Sequence, residues 1–242
     1  MFSMNTKIRA LLLGSSPYHA KRAFYPLESS CFTKIFAGSH KVLFIPFALK
    51  KHTAYTEETQ KLFSTFNCET ISLSEYETNE AKQQAVEKAE GLFIGGGNTF
   101  RLLAALHDFG IFDIIKRRIG EGVPYLGTSA GATLFCPTIK TTNDMPIVAV
   151  KSLVAFGFLP FQINPHYPDA EAPSASETRK DRLNEFHEEN NIPIIGLRES
   201  CFLSIENGHV ELNGDKSALL FRQGHLPTEI DGTAFNDFMA KL

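Results

Sequence analysis

The 242-residue sequence has no run of like charges, no cysteines paired at redox or metal spacing, and no long hydrophobic run. Each absence removes a class of function. With a formal net charge of −3 and no basic tract, the chain carries no footprint for nucleic acid. A small anionic ligand then has to be met by a local cation rather than by a global field. The four cysteines, Cys31, Cys68, Cys136 and Cys201, are scattered, without C-x-x-C or a Cys/His zinc spacing. They read as buried, reduced thiols rather than as a disulfide framework or a metal site. The longest apolar stretch, residues 152–161, is too short to span a bilayer. Residues 1–7 are polar and show no charged segment followed by an apolar one, so a cytoplasmic protein is expected. Neither G-x-G-x-x-G nor G-x-x-x-x-G-K-[ST] occurs, which argues against a nucleotide.

What is present fits one α/β domain covering residues 1–242. Hydrophobic residues make up 43% of the chain and charged residues 21%, enough apolar material for a core and too little charge for disorder. Short apolar runs at 10–13, 42–47, 69–73 and 92–94 read as strands, the first running into Gly14-Ser15-Ser16. Helical spacing appears at 57–66, after Thr78 as a cap, at 100–106 and at 111–119. This alternation predicts a mostly parallel central sheet with helices on both faces. In the last third, Ser174 and Glu177 have capping-box spacing before a helix to about His187, and residues 193–196 read as a strand. Asn207-Gly208 between two apolar runs predicts a β-hairpin, and 233–241 a closing helix.

Gly127-Thr128-Ser129-Ala130-Gly131 fits the G-x-S-x-G nucleophile elbow, in which a serine sits on a tight turn between strand and helix. The helix start behind it aims backbone N–H groups at a developing oxyanion. Alone the pattern is weak, since chance supplies it in roughly one chain of this length in ten. Its placement after an apolar strand and before small residues adds weight. A hydroxyl nucleophile needs a base. Among eight histidines, His166 stands apart in Ile163-Asn164-Pro165-His166-Tyr167, where Pro165 stiffens the backbone beside it. His19, His40, His52, His107, His187, His209 and His225 lack such framing and read as surface or packing residues. Gly95-Gly96-Gly97 at a strand end lets a backbone N–H approach a ligand closely, a second oxyanion donor or else a plain turn.

Together these segments resemble the peptidase E branch of a serine peptidase family that also includes the cyanophycinases. Gly-Gly-Gly-Asn-Thr-Phe at 95–100, Gly-Thr-Ser-Ala-Gly-Ala at 127–132, Thr-Asn-Asp-Met-Pro at 142–146 and Ile-Asn-Pro-His-Tyr at 163–167 carry the likeness. Glu-Thr-Arg at 177–179 and Gly-Leu-Arg-Glu at 196–199 extend it, so that it covers about residues 8–205. The resemblance implies a class I glutamine amidotransferase-like sheet with a C-terminal β-hairpin. It also implies a cofactor-free dipeptidase, monomer or homodimer, that removes N-terminal aspartate from Asp-X dipeptides. Ser129 matches the family's nucleophile and His166 its base. The acid is Glu199 or Asp144, with Glu199 favoured and Asp144 essential in another role. Ala130 with Gly97 or Gly96 would form the oxyanion hole. Arg179 and Asn98 would bind substrate, Arg179 because a guanidinium grips a carboxylate through two parallel hydrogen bonds.

Two departures stand out. Arg198 occupies the place where the family often has Pro before the glutamate, and either pairs with Glu199 or points to solvent. Thr128 stands where many members have Trp, at the pocket wall. The same elbow would also suit a cyanophycinase-like or isoaspartyl hydrolase, or a silent module that binds aspartyl peptides. A glutamine amidotransferase would carry Cys where this chain has Ser129.

Overall fold

A computed structural model describes residues 4–15, 26–169 and 177–242. Ser16, His19 and Ser174 lie outside them. Five strands form the parallel part of a seven-stranded sheet: β1 (Ala10–Leu13), β2 (Lys41–Ile45), β3 (Glu69–Ser72), β4 (Leu92–Ile94) and β5 (Tyr125–Thr128). The hairpin of β8 (Cys201–Glu206) and β9 (His209–Gly214) adds antiparallel to β1, giving the order β3-β2-β4-β5-β1-β8-β9. Its turn is Asn207-Gly208, both at positive φ, as the Asn-Gly pair predicts.

Alternation along the strands divides the core. Leu11, Leu13, Val42, Phe44, Phe93 and Leu126 pack on one face against α1 (Pro26–Ile35) and α2 (His52–Ser64), through Phe32, Tyr55 and Phe63. Ala10, Leu12, Leu43, Ile45, Leu92, Ile94 and Tyr125 pack on the other. There they meet Val86 of α3 (Asn79–Glu87), Leu102, Leu103 and Leu106 of α4 (Thr99–Asp108), and Ile115 and Ile119 of α5 (Phe112–Gly120). The successive residues of β1, β4 and β5, and of β2 after Lys41, therefore have both faces buried, which is why these runs are largely apolar; the edge strand β3 is not.

A second sheet, absent from the sequence-based expectation, contains β6 (Gln162–Pro165), β7 (Ile194–Leu197), β10 (Ala218–Phe221) and β11 (Thr228–Ile230) in the order β11-β10-β7-β6. The strands β6 and β7 are parallel, with Pro165 opposite Leu197. Two further expectations are corrected. Helix α7 (Arg179–Glu189) starts after Thr178, and its capping box is Thr178 with Asp181, not Ser174 with Glu177. Helix α1 was not anticipated, and α2 begins five residues earlier than its apolar spacing suggests. Helix α8 (Gly232–Met239) closes the described chain, capped by Asp231. Among the described residues no helix is long and apolar enough to cross a membrane.

Candidate active site

Strand β5 ends at Thr128, and α6 (Ala130–Thr133) begins two residues later. Ser129 bridges them with φ 52° and ψ −107°, a conformation that costs a non-glycine residue of order 1–3 kcal/mol. The turn is feasible because a Cβ on Gly131 would lie 2.2 Å from the Ile94 carbonyl oxygen, and one on Gly127 would strike Gly131. The strained turn leaves Ser129 at the carboxyl end of the parallel sheet, where open α/β sheets place their ligands.

The base arrives from the other sheet. His166 and Glu199 lie just beyond the carboxyl ends of the parallel neighbours β6 and β7, so pairing of those strands brings the two side chains together. His166 Nε2 is 2.9 Å from Ser129 Oγ, and its Nδ1 is 3.2 Å from Glu199 Oε1. His166 also has positive φ (53°), and its N–H donates to the Gly14 carbonyl at the end of β1. The Ser15 hydroxyl donates to the Glu199 carbonyl, so the end of β1 holds both segments.

Asp144 is placed elsewhere. Its Oδ2 accepts from the Thr99 N–H (2.8 Å), the Thr99 hydroxyl (2.6 Å) and the Thr142 hydroxyl (2.9 Å), which seats it on the positive end of α4. It makes no hydrogen bond or ion pair with His166. Asn98 caps α4 by accepting from the Arg101 N–H, and its amide donates to the Met145 carbonyl, which fixes the loop carrying Asp144. Asn98 therefore braces the wall of the site rather than lining it. The Gly96 N–H donates to the buried Tyr55 hydroxyl (2.9 Å) and is not available to an oxyanion. Gly97, at φ 137°, does line the site. A Cβ there would lie 2.6 Å from the Ala48 carbonyl oxygen, so only glycine fits.

Gly97, Ser129, Asp144, His166 and Arg179 share one cleft of about 370 Å³, walled also by Thr142, Asn143 and Pro165. Arg179 opens α7 and donates to the Pro165 carbonyl (3.0 Å), which also accepts from the Asn143 amide (2.8 Å). The cleft thus brings a guanidinium and a carboxylate together with the serine–histidine pair. Arg198 does not pair with Glu199; it turns inward to Glu229 through two hydrogen bonds of 2.7 Å. Thr128 is fully buried with its hydroxyl unpartnered, so it is not exposed on the cleft wall. Sequence reasoning passed over Tyr55 and Ser15, which lie outside the motifs, and over Thr99 and Asn143, which sit within them. Among the described residues no cluster of three or more His, Cys, Asp or Glu is placed to hold a metal ion.

Comparison with known proteins places this geometry in a family. The profile of peptidase family S51 matches residues 10–213. Peptidase E of Streptomyces coelicolor is 37% identical over 222 residues, covering 91% of this chain and 90% of that protein. A Drosophila melanogaster protein named "Probable alpha-aspartyl dipeptidase" is 39% identical over 191 residues, covering 77% of this chain and 78% of its own. The crystal structure of a peptidase from an acI-B1 Actinobacterium shares the fold, with a TM-score of 0.66 at 18% identity, covering 95% of this chain and 96% of that one.

Proposed function

Because this chain belongs to peptidase family S51, we propose that it is a serine dipeptidase that cleaves Asp-X dipeptides through an acyl-enzyme on Ser129. The observation that carries the reading is the continuous chain from Ser129 Oγ to His166 to Glu199, with the serine on a strained elbow. Ser129 attacks the aspartyl carbonyl while His166 Nε2 takes its proton and then delivers it to the leaving amine. Glu199 orients the imidazole and stabilises its positive charge. The N–H groups of Ala130 and Gly97 face the developing oxyanion; removing one such donor typically costs about 3 kcal/mol. Water then attacks the acyl-enzyme, His166 again acting as base, and aspartate leaves.

Recognition follows from the cleft's two charges. Arg179 receives the side-chain carboxylate of the N-terminal aspartate, and the remaining oxygen of Asp144 receives its ammonium group. A peptide with a neutral first side chain would forgo the charge-assisted hydrogen bonds to Arg179, and such a site discriminates strongly against it. All four cysteines are free thiols, which favours a reducing compartment, and we assign the protein to the cytoplasm as a monomer or homodimer acting on small peptides without a cofactor.

The test is hydrolysis of Asp-Leu, Glu-Leu and β-linked Asp-Leu by wild type and by Ser129→Ala. Cleavage confined to Asp-Leu and lost in the variant is the expected result. Cleavage of the β-linked peptide alone would reject the α-aspartyl assignment, and activity surviving in the variant would reject Ser129.

A further inference from the structure

Arg198 stands next to Glu199 yet has its own set of partners. It is 8% exposed, and its guanidinium makes the two bonds to Glu229 on β11 together with one of 2.5 Å to the Ser217 carbonyl at the start of β10. Its Nε lies 3.5 Å from Asp169, three residues after His166. Ser217 donates to Glu229, and Lys216 pairs with Asp169, so the groups form one network. The sheet order is β11-β10-β7-β6, and this one side chain therefore links the segments at the ends of all four strands.

We propose that Arg198 is a positioning residue for the His166–Glu199 pair, holding the two segments that carry them at a fixed separation. The inference rests on the roles given above to Ser129, His166 and Glu199. The need for such a clamp follows from exposure. The Glu199 side chain is 64% exposed, and an ion pair at that exposure does not by itself hold a carboxylate on one imidazole nitrogen. The backbone must place it instead. Glu199 immediately follows Arg198, whose carbonyl also accepts from the Cys201 N–H across the turn. A buried fork bonded at both ends fixes that turn in a way that a lysine or an apolar side chain does not.

Arg198→Met and Glu229→Ala test the proposal, each alone and combined with Glu199→Gln. The second variant cuts the clamp at a half-exposed carboxylate, and so decides the matter if the first does not fold. Thermal unfolding confirms that each variant is native. Two rates are read: kcat and KM for Asp-Leu, and the labelling rate of Ser129 by a fluorophosphonate, which needs no knowledge of the substrate. The expected result is a loss of roughly tenfold to a hundredfold in kcat and in labelling, with KM held within about twofold. The double variants should lose no more than Glu199→Gln alone, because both changes act through one contact. Wild-type labelling in either native variant, or losses that multiply with Glu199→Gln, would overturn the proposal. If wild type labels without cleaving Asp-Leu, only the substrate assignment falls. No labelling of wild type removes the nucleophile and this inference together.

Discussion

Glu199 and Asp144 are both carboxylates near Ser129, and what holds each differs. Glu199 meets His166 Nδ1, whereas one oxygen of Asp144 is taken by the Thr99 N–H and by two hydroxyls. Glu199→Gln should therefore lower kcat by about a hundredfold or more with little change in KM. Asp144→Asn should instead raise KM for Asp-Leu by roughly tenfold to a hundredfold, the worth of a charge-assisted hydrogen bond. Steady-state kinetics on the two variants separates these outcomes, and a reversed pattern would exchange the roles. Burial pushes the Cys136 thiol up to about 12, while the Ile163 N–H at its sulfur acts in the opposite sense. Cys136 should stay protonated at pH 8 and resist iodoacetamide until the protein is unfolded, as mass spectrometry of alkylated peptides would show.

Helix α7 presents Arg179 in its first turn, and its start is set by a reciprocal cap in which Thr178 and Asp181 each accept from the other's backbone N–H. Thr178→Ala should cost about 1 kcal/mol of stability, measured as a shift in the urea midpoint. Because it loosens the turn that aims Arg179, it should raise KM for Asp-Leu more than it lowers kcat. The elements missed at sequence level were missed for different reasons. Helix α1 carries Phe32, Ile35 and, just past its end, Phe36 at the i, i+3, i+4 spacing of a buried helix face, a signal the sequence reading passed over. Strands β10 and β11 are four and three residues long, and among the described residues β11 pairs only with β10. Runs that short are strands because a partner is present, not because their composition demands it.

At the scale of the whole molecule, two sheets present their carboxyl ends to one cleft, and Arg198 fastens the smaller sheet at that end. The Arg198 guanidinium, chiefly through its hydrogen bonds, holds the Glu229 carboxyl below the usual range. A depressed carboxylate contributes stability that is fully present above its unfolded value, near 4.3, and is lost as pH falls through the folded value. Urea unfolding across a pH series should therefore show Glu229→Gln losing less stability than wild type below about pH 4.3. Equal acid sensitivity would show that the pair carries no linkage.

The sequence by itself determined the parallel half of the fold and singled out Ser129 and His166, which the structure brings together. Leu92–Ile94 and Tyr125-Leu126 are apolar because both of their faces are covered, and the elbow needs glycine at 131 because a Cβ there would strike Ile94 and at 127 because one would strike Gly131. These constraints restrict the residue types themselves, so they are legible in the sequence whatever the chain separation of the neighbours. Only the tertiary structure decided which carboxylate meets His166, which glycine lines the cleft, and where Arg198 points. Glu199 reaches His166 because β6 and β7 pair in register across 33 residues of sequence, and Tyr55 withdraws the Gly96 N–H from 41 residues away. Arg198 turns inward because Glu229 waits 31 residues further along the chain. Contacts of that separation depend on how sheets and helices close on one another, and sequence spacing holds no measure of that distance.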